Sequence, residues 1–184
     1  MIQAHPRLET HRLRLRPFVA EDAPRVAELG GAREVADTMI SIPHPFSLAA
    51  ARTTIAANAS GYRSGRSVHF AIELKNTADL LGSTELREID REHSQAELSF
   101  WIGQASWGRG YASEAARATL LFGFRTLGLN RIYAYHMLRN PASGAVLRKA
   151  GMKQEGVLRE RVRKWGVFEH VALYAALRSD VADA

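Results

Sequence analysis

Strict alternation of charged and apolar residues over Arg12-Leu13-Arg14-Leu15-Arg16, ending at Pro17, predicts a half-buried strand with its arginines on the exposed face. From Ala20 to Leu29, and again from Ser47 to Ala59, apolar residues recur at three- and four-residue spacings in alanine-rich sequence. That pattern predicts two helices, the second capped by Ser47. Between them, Ile42-Pro43-His44-Pro45-Phe46 carries two prolines that forbid a regular element, leaving an exposed loop that suits a pocket wall or a plain connection. Val68 to Leu74, Leu80 to Ile89 and Ala96 to Ile102 read as strands, and the short polar gaps between them read as hairpins. The period then changes. Ser113 to Leu127 reads as a helix, Arg131 to His136 as a strand, Pro141 to Ala150 as a helix, and Lys153 to Trp165 and Glu169 to Leu177 as two closing strands. This order predicts an α+β fold, with a mixed, mostly antiparallel central sheet of about seven strands and helices on both faces. No linker, repeat or low-complexity stretch interrupts it, so residues 1–184 read as a single domain.

The most informative connection is Trp107-Gly108-Arg109-Gly110-Tyr111-Ala112-Ser113-Glu114, between the apolar strand ending at Ile102 and the helix beginning near Ser113. Gly108 and Gly110 permit a tight turn. Successive backbone N–H groups at a helix start, where the dipole is positive, form a cradle for an anion. A glycine-assisted turn with no ligand would use the same residues. The full dinucleotide fingerprint and the Walker lysine are both missing, which disfavours those two nucleotide folds.

Trp107 to Ala112 resembles the pyrophosphate loop of the GNAT superfamily of N-acetyltransferases, in the Trp-Gly-Lys/Arg-Gly-Tyr-Ala form of its RimJ/RimL-like branch. Three further segments are similar to the same branch: Leu8 to Arg16, Ala96-Glu97-Leu98-Ser99-Phe100-Trp101-Ile102, and Asn140-Pro141-Ala142-Ser143 through Lys149-Ala150-Gly151-Met152. The resemblance covers nearly the whole chain. It implies a sheet splayed open between Ala96 to Ile102 and Arg131 to His136, with acetyl-CoA as co-substrate in the gap. By the same resemblance backbone groups at Phe100, Trp101 and Ile102 pair with the pantetheine arm. Gly108, Arg109, Gly110, Tyr111, Ala112 and Ser113 hold the diphosphate, Asn140 meets the pantetheine, and Ser143 lies near the sulfur as proton donor. Glu97 is implied to work near the acceptor amine through water. The implied partners are acetyl-CoA and an amine acceptor, a peptide N-terminus or a small molecule, and family habit suggests a homodimer.

The residues taken alone leave alternatives open. Asn140, Pro141 and Ser143 also make a conventional helix start, and Glu97 could pair with an arginine across the sheet or face solvent. Arg148 and Lys149, like Arg109, could meet the phosphates of coenzyme A or be ordinary surface charge. His136 and Tyr111 are second choices for moving protons, each with a packing role as an alternative. Arg159, Arg161 and Arg163 fall on one face of a predicted strand, which suits an acidic substrate or a solvated surface.

Composition narrows the picture further. The absence of cysteine excludes thiol nucleophiles, disulfides and zinc–thiolate sites, and no histidine pair has metal-ligand spacing, so no metal is expected. A net charge of +6 and a pI near 10.1 invite a nucleic-acid partner. The positive charge is nevertheless dispersed from Arg7 to Arg178 without a basic tract, which favours a small anionic ligand and no nucleic acid. No apolar run reaches the roughly 18 to 20 residues of a membrane span, and Met1 to Pro6 has no leader pattern, so a cytoplasmic protein is expected. The competing functions are acetyl transfer to an aminoglycoside, polyamine or amino acid, and a non-catalytic acyl-CoA-binding regulatory module.

Overall fold

The computed structural model describes residues 5–181, so most of the Met1 to Pro6 stretch in which no leader pattern is expected lies outside the described residues. One eight-stranded sheet runs through them: β1 (Leu8–Glu9), β2 (Leu13–Arg16), β3 (Val68–Leu74), β4 (Leu80–Asp90), β5 (Gln95–Ile102), β6 (Arg131–Met137), β7 (Lys153–Lys164) and β8 (Val167–Leu177). Their spatial order is β1-β2-β3-β4-β5-β6-β8-β7, and every neighbouring pair is antiparallel except β5 with β6. The sheet has one strand more than the seven expected. Two residues of the N-terminal segment, Leu8 and Glu9, fold back on Leu15 and Arg14, too short a run to show an alternation.

Helices α1 (Ala23–Gly31), α2 (Arg33–Thr38) and α3 (Leu48–Arg63) precede the meander, and α4 (Tyr111–Arg125) and α5 (Pro141–Ala150) follow it. Ser47 caps α3 as its sequence predicts, its hydroxyl accepting the Ala50 N–H at 3.1 Å. The six-residue α2 is not evident from periodicity, because Gly30-Gly31 reads as a helix end and six residues carry less than two turns of pattern.

The two sheet faces have different covers. Leu13, Leu15, Phe70, Ile72, Leu86, Leu98 and Ile132 pack with Leu120 and Phe124 of α4 and Leu147 of α5 in the main core. Full burial of such side chains stabilises by about 1.5–3 kcal/mol each relative to exposure. On the other face α1 and α3 cover Ala71 and Leu80 through Ala23, Val26, Ala51 and Ile55. That second cover stops short of the middle of β4 and β5, where Glu85, Arg87, Glu97 and Ser99 line cavities instead.

The expected single arginine face of β7 does not form. A register shift between Leu158 and Val162, with Glu160 at φ +50°, breaks the two-residue alternation. Arg161 lies over the Tyr135 ring and Arg163 over the Phe168 ring. Among the described residues, no helix is long and apolar enough to cross a membrane.

Candidate active site

The parallel ladder between β5 and β6 spans only Gln95–Glu97 against Arg131–Tyr133, although β5 continues to Ile102 and β6 to Met137. Beyond Glu97 the strands part. A cleft of about 360 Å³ occupies the gap, lined by Phe100, Trp101 and Ile102 of β5, by Gly108, Gly110, Tyr111, Ala112 and Ser113, and by Asn140 and Ser143 at the start of α5. Val35, Thr38 and Met39 close it from α2 and the residue after it. Of the residues expected to hold the co-substrate, only Arg109 does not line the cleft.

The loop is held open at both ends. Gly108 and Gly110 adopt φ +74° and +80°, the left-handed region in which an L side chain is strained by roughly 1–2 kcal/mol. Gly110 is the N-cap of α4 and has no side chain to accept the first helical N–H groups, so the positive end of that dipole meets the cleft. Trp107 ties the loop to β5, its indole Nε1 donating to the Ile102 carbonyl at 2.6 Å. Glu114, in the first turn of α4, accepts from the Thr10 hydroxyl at 2.6 Å, the Arg12 N–H at 2.8 Å and Arg12 Nε at 2.7 Å. Arg12 Nη1 in turn donates to the Arg109 carbonyl at 2.9 Å. The backbone of Arg109, rather than its side chain, is thus what the fold fixes. Such a cradle of N–H groups, with the Lys149 side chain also lining the cleft, fits the diphosphate of coenzyme A.

At the other end, Asn140 and Ser143 cap α5 reciprocally. The Asn140 amide donates from Nδ2 to Ser143 Oγ at 2.9 Å, and the Ser143 N–H donates to Asn140 Oδ1 at 3.4 Å. Ser143 also lines a small cavity of about 40 Å³ with Glu97, Arg87, Ser99 and Tyr135. A third cavity of about 260 Å³ lies on the same sheet face between Phe18, Phe46, Trp101, His69, Glu85 and Arg87. Phe100 and Met39 line all three spaces, so the co-substrate cleft and the two side cavities meet around them.

Glu97 is buried and does pair with an arginine across the sheet: its direct neighbour on β4 is Arg87, whose Nη2 donates to Glu97 Oε1 at 2.5 Å. Burial pushes the Glu97 carboxyl above the usual carboxylate range, and Arg87 only partly offsets this. The neighbouring Glu85 behaves oppositely. Burial alone would raise it, but His69, Arg87 and the Ser99 hydroxyl outweigh that and hold its carboxyl below the usual range. Two carboxylates on one sheet face are thereby driven apart, one toward accepting a proton and one toward staying charged.

Of the remaining candidates, His136 lines the small cavity with Glu97 and Ser143, Tyr111 lines the co-substrate cleft, and Arg148 lines none of the three spaces. His136 is buried against Tyr174, with Nδ1 at 2.9 Å from the Met137 carbonyl, and it presses so closely on α5 that a Cβ on Gly144 would lie 2.6 Å from His136 Nε2. Tyr111 stacks beneath the Arg12 guanidinium, 4.6 Å from ring centroid to Cζ. Arg148 turns inward, donating to the Tyr174 hydroxyl at 2.8 Å. Helix α2 and the segment after it are held by two cations. Lys164 Nζ donates to the Met39 and Ile42 carbonyls at 2.6 and 2.9 Å, and Arg139 pairs with both Asp37 and Glu169. Sequence reasoning did not single out Arg87, Glu114 or α2. The signal for Arg87 was present in the two-residue alternation of Glu85 and Arg87, which puts both on the face opposite Leu86.

A sheet parted beside a helix N-terminal anion cradle is the arrangement that the family resemblance implies for an acyltransferase. The family described as acetyltransferase (GNAT) domain matches residues 12–153, and this chain belongs to that family. It is 31% identical over 173 residues to the "uncharacterized N-acetyltransferase YoaA" of Bacillus subtilis, covering 94% of this chain and 97% of that protein. Its fold is similar to that of RimJ from Mycobacterium smegmatis in complex with CoA-disulfide, with a TM-score of 0.84 at 22% identity over 94% of this chain and 85% of that one. It is also similar to the spermidine N-acetyltransferase of Vibrio cholerae in complex with CoA and spermine, with a TM-score of 0.80 at 23% identity over 93% and 98% of the two chains. The protein is an acetyl-CoA-dependent N-acetyltransferase.

Proposed function

We propose that the chain transfers acetyl directly to a primary amine, such as a peptide N-terminus, in a complex that holds both substrates at once. The observation that carries this is the position of Ser143, which lines both the cleft below the glycine loop and the small cavity holding Glu97. A donor group and an acceptor amine brought to that junction need no relay through the enzyme, and the absence of cysteine removes the most nucleophilic candidate for one.

Acetyl-CoA supplies the activated acyl group. The amine nitrogen forms the new bond to the acetyl carbon as the carbon–sulfur bond breaks. Glu97 takes the proton released by the amine, through a water molecule, and its raised pKa suits it to that task. Ser143 Oγ passes a proton to the departing sulfur and takes one back from water, while Glu97 releases its proton to water, which restores both residues; Asn140 Nδ2 fixes the direction of the hydroxyl. An N-terminal amine, with a pKa of about 7.7–8.0, is partly neutral at pH 7, whereas a lysine near ~10.4 is not, so the former asks less of a carboxylate base. The cytoplasm is the compartment that goes with this chemistry.

Rapid mixing with acetyl-CoA tests it. Alone, acetyl-CoA should give no burst of free thiol and no mass gain on the protein, and adding a peptide amine should give thiol and acetylated peptide in equal amounts. A stoichiometric thiol burst without acceptor would establish an acetyl-enzyme and overturn direct attack.

A further inference from the structure

Resting on the transfer chemistry just proposed, we infer that His136 is a proton relay: through water in the small cavity it collects the proton that Glu97 has taken from the amine and returns it to Ser143. The need for one lies in the capping pair. Asn140 Nδ2 donates to Ser143 Oγ, which leaves the hydroxyl proton free to move to the sulfur, but an amide cannot replace that proton. An alkoxide on serine is too basic to be left behind, so a second proton must arrive as the first departs.

His136 is placed to deliver it. Alternation along β6 puts Ile132, Ala134 and His136 on the α5 side of the sheet, whereas Tyr133, in register with Glu97, and Tyr135 share the other side. The cavity of about 40 Å³ touches Glu97 and Tyr135 as well as His136 and Ser143, so it passes through the gap where β5 and β6 part. It is larger than the ~10–15 Å³ that one water needs, and its polar lining offers the partners that hold a water in place. The imidazole has a fixed orientation. The Met137 carbonyl can only accept, so Nδ1, 2.9 Å away, carries the hydrogen of the neutral ring and Nε2 is left as the acceptor. Nε2 lies against α5 immediately after Ser143, in space made by the missing side chain of Gly144, where a Cβ would sit 2.6 Å from it. Arg87, on the Glu97 side, does not give up its proton, and the Ser99 hydroxyl is bonded to Glu85, so neither competes for the role.

The protons balance. The amine proton passes to Glu97 as the nitrogen bonds to the acetyl carbon, then through the cavity water to His136 Nε2, giving a transient imidazolium. As the carbon–sulfur bond breaks, its electron pair stays on sulfur, which takes the Ser143 proton, and Nε2 returns a proton to Ser143 Oγ through water. Glu97, His136 and Ser143 end as they began, and the proton lost by the amine ends on the thiol of coenzyme A.

The test uses the full chain, acetyl-CoA and a peptide with a free N-terminus, and measures single-turnover transfer. His136→Asn keeps a donor toward the Met137 carbonyl and removes Nε2. It should slow transfer about tenfold, less than the ~100-fold or more of a direct proton donor, because water alone still recharges Ser143 slowly. Acetyl-CoA affinity should hold, since His136 does not line the co-substrate cleft. Added to Ser143→Ala, the same change should slow transfer no further, because the relay acts through that hydroxyl. Gly144→Ala, which keeps the imidazole but crowds Nε2, should slow transfer as well. In mixtures of light and heavy water the wild-type rate should curve with deuterium content, as two protons move together, and the plot should become linear in His136→Asn. A wild-type rate in folded His136→Asn, an equal loss with and without the Ser143 hydroxyl, or a linear wild-type plot would each overturn the inference while leaving direct transfer intact. No transfer to the peptide, or a burst of thiol without it, would remove the transfer chemistry itself, and the inference with it. Should both His136→Asn and Gly144→Ala fail to fold, the wild-type plot decides alone.

Discussion

Replacing Glu114 by glutamine should loosen the glycine loop from a distance. The carboxylate joins the N-terminal segment to α4 by accepting from the Thr10 hydroxyl, the Arg12 N–H and Arg12 Nε, and Arg12 then holds the Arg109 carbonyl. Glutamine keeps the size but turns an NH₂ toward donors that need an acceptor, so one or two hydrogen bonds to a charged partner are lost. Each is worth about 1.5–3 kcal/mol. Arg12 is more than a third exposed, and solvent screening discounts its share, leaving roughly 2–3 kcal/mol in total. For a chain of this size that is a fall in Tm of about 4–12 °C. A loop no longer held in the binding conformation should also weaken acetyl-CoA binding by about tenfold, equivalent to ~1.4 kcal/mol. The pH dependence has a definite sign. Burial raises the Glu114 carboxyl, but Thr10 and Arg12 outweigh it and hold the folded-state pKa below the ordinary value of about 4.3. The stabilisation is therefore complete above that value and is lost as pH falls through the lower, folded-state pKa. Thermal unfolding of wild type and Glu114→Gln at pH 7 and at stepwise lower pH, with calorimetric titration of acetyl-CoA at pH 7, measures all three effects. Equal Tm and equal affinity at pH 7 would show that the Thr10–Arg12–Glu114 cluster supports neither the fold nor the loop.

Three further outcomes follow from the site. Gly110→Asp, at φ +80°, adds backbone strain and a negative charge at the anion cradle and should weaken acetyl-CoA at least ~100-fold, as should a bulky residue at Ala112; unchanged calorimetric affinity for both would refute the cradle. Ser143→Ala should lower single-turnover transfer by about 100-fold while Tm moves by only a few degrees, since its backbone N–H still meets Asn140 Oδ1; near-wild-type turnover would reduce Ser143 to a helix cap. Burial raises the Glu97 carboxyl, so the acidic limb of the wild-type pH–rate profile should lie above the ordinary carboxylate value of ~4.3, and Glu97→Gln should abolish that limb; an identical profile in the variant would make Glu97 structural.

Much of the fold was legible because its periods are long. The three-strand meander, α4 and α5 each carry enough turns or alternations to declare their type, and Pro141 and Gly151 bracket α5 as a helix start and stop. The loop was legible because glycines at a strand-to-helix junction have few other uses. Shorter pieces were not: β1 has two residues and α2 six, and neither displays a period. Pairings across the sheet were the larger gap. Alternation puts Arg87 and Glu97 on faces of their own strands, but only the register of β4 with β5 makes them neighbours. Likewise, nothing local links Glu114 with Thr10 and Arg12, about a hundred residues earlier in the chain. Arg109 shows the converse, since its charge drew attention while its carbonyl is what the fold uses.

In the proposed reaction one cleft, between the parted ends of β5 and β6, carries the co-substrate from the glycine loop to Ser143. A crystal structure of the protein grown with coenzyme A tests this most directly. The diphosphate is expected on the backbone N–H groups of Gly108 to Ser113, the pantetheine arm beside Phe100 to Ile102, and the sulfur within reach of Ser143 Oγ. Coenzyme A bound with its diphosphate away from this loop, or with its sulfur on the far side of the sheet from Ser143, would contradict it.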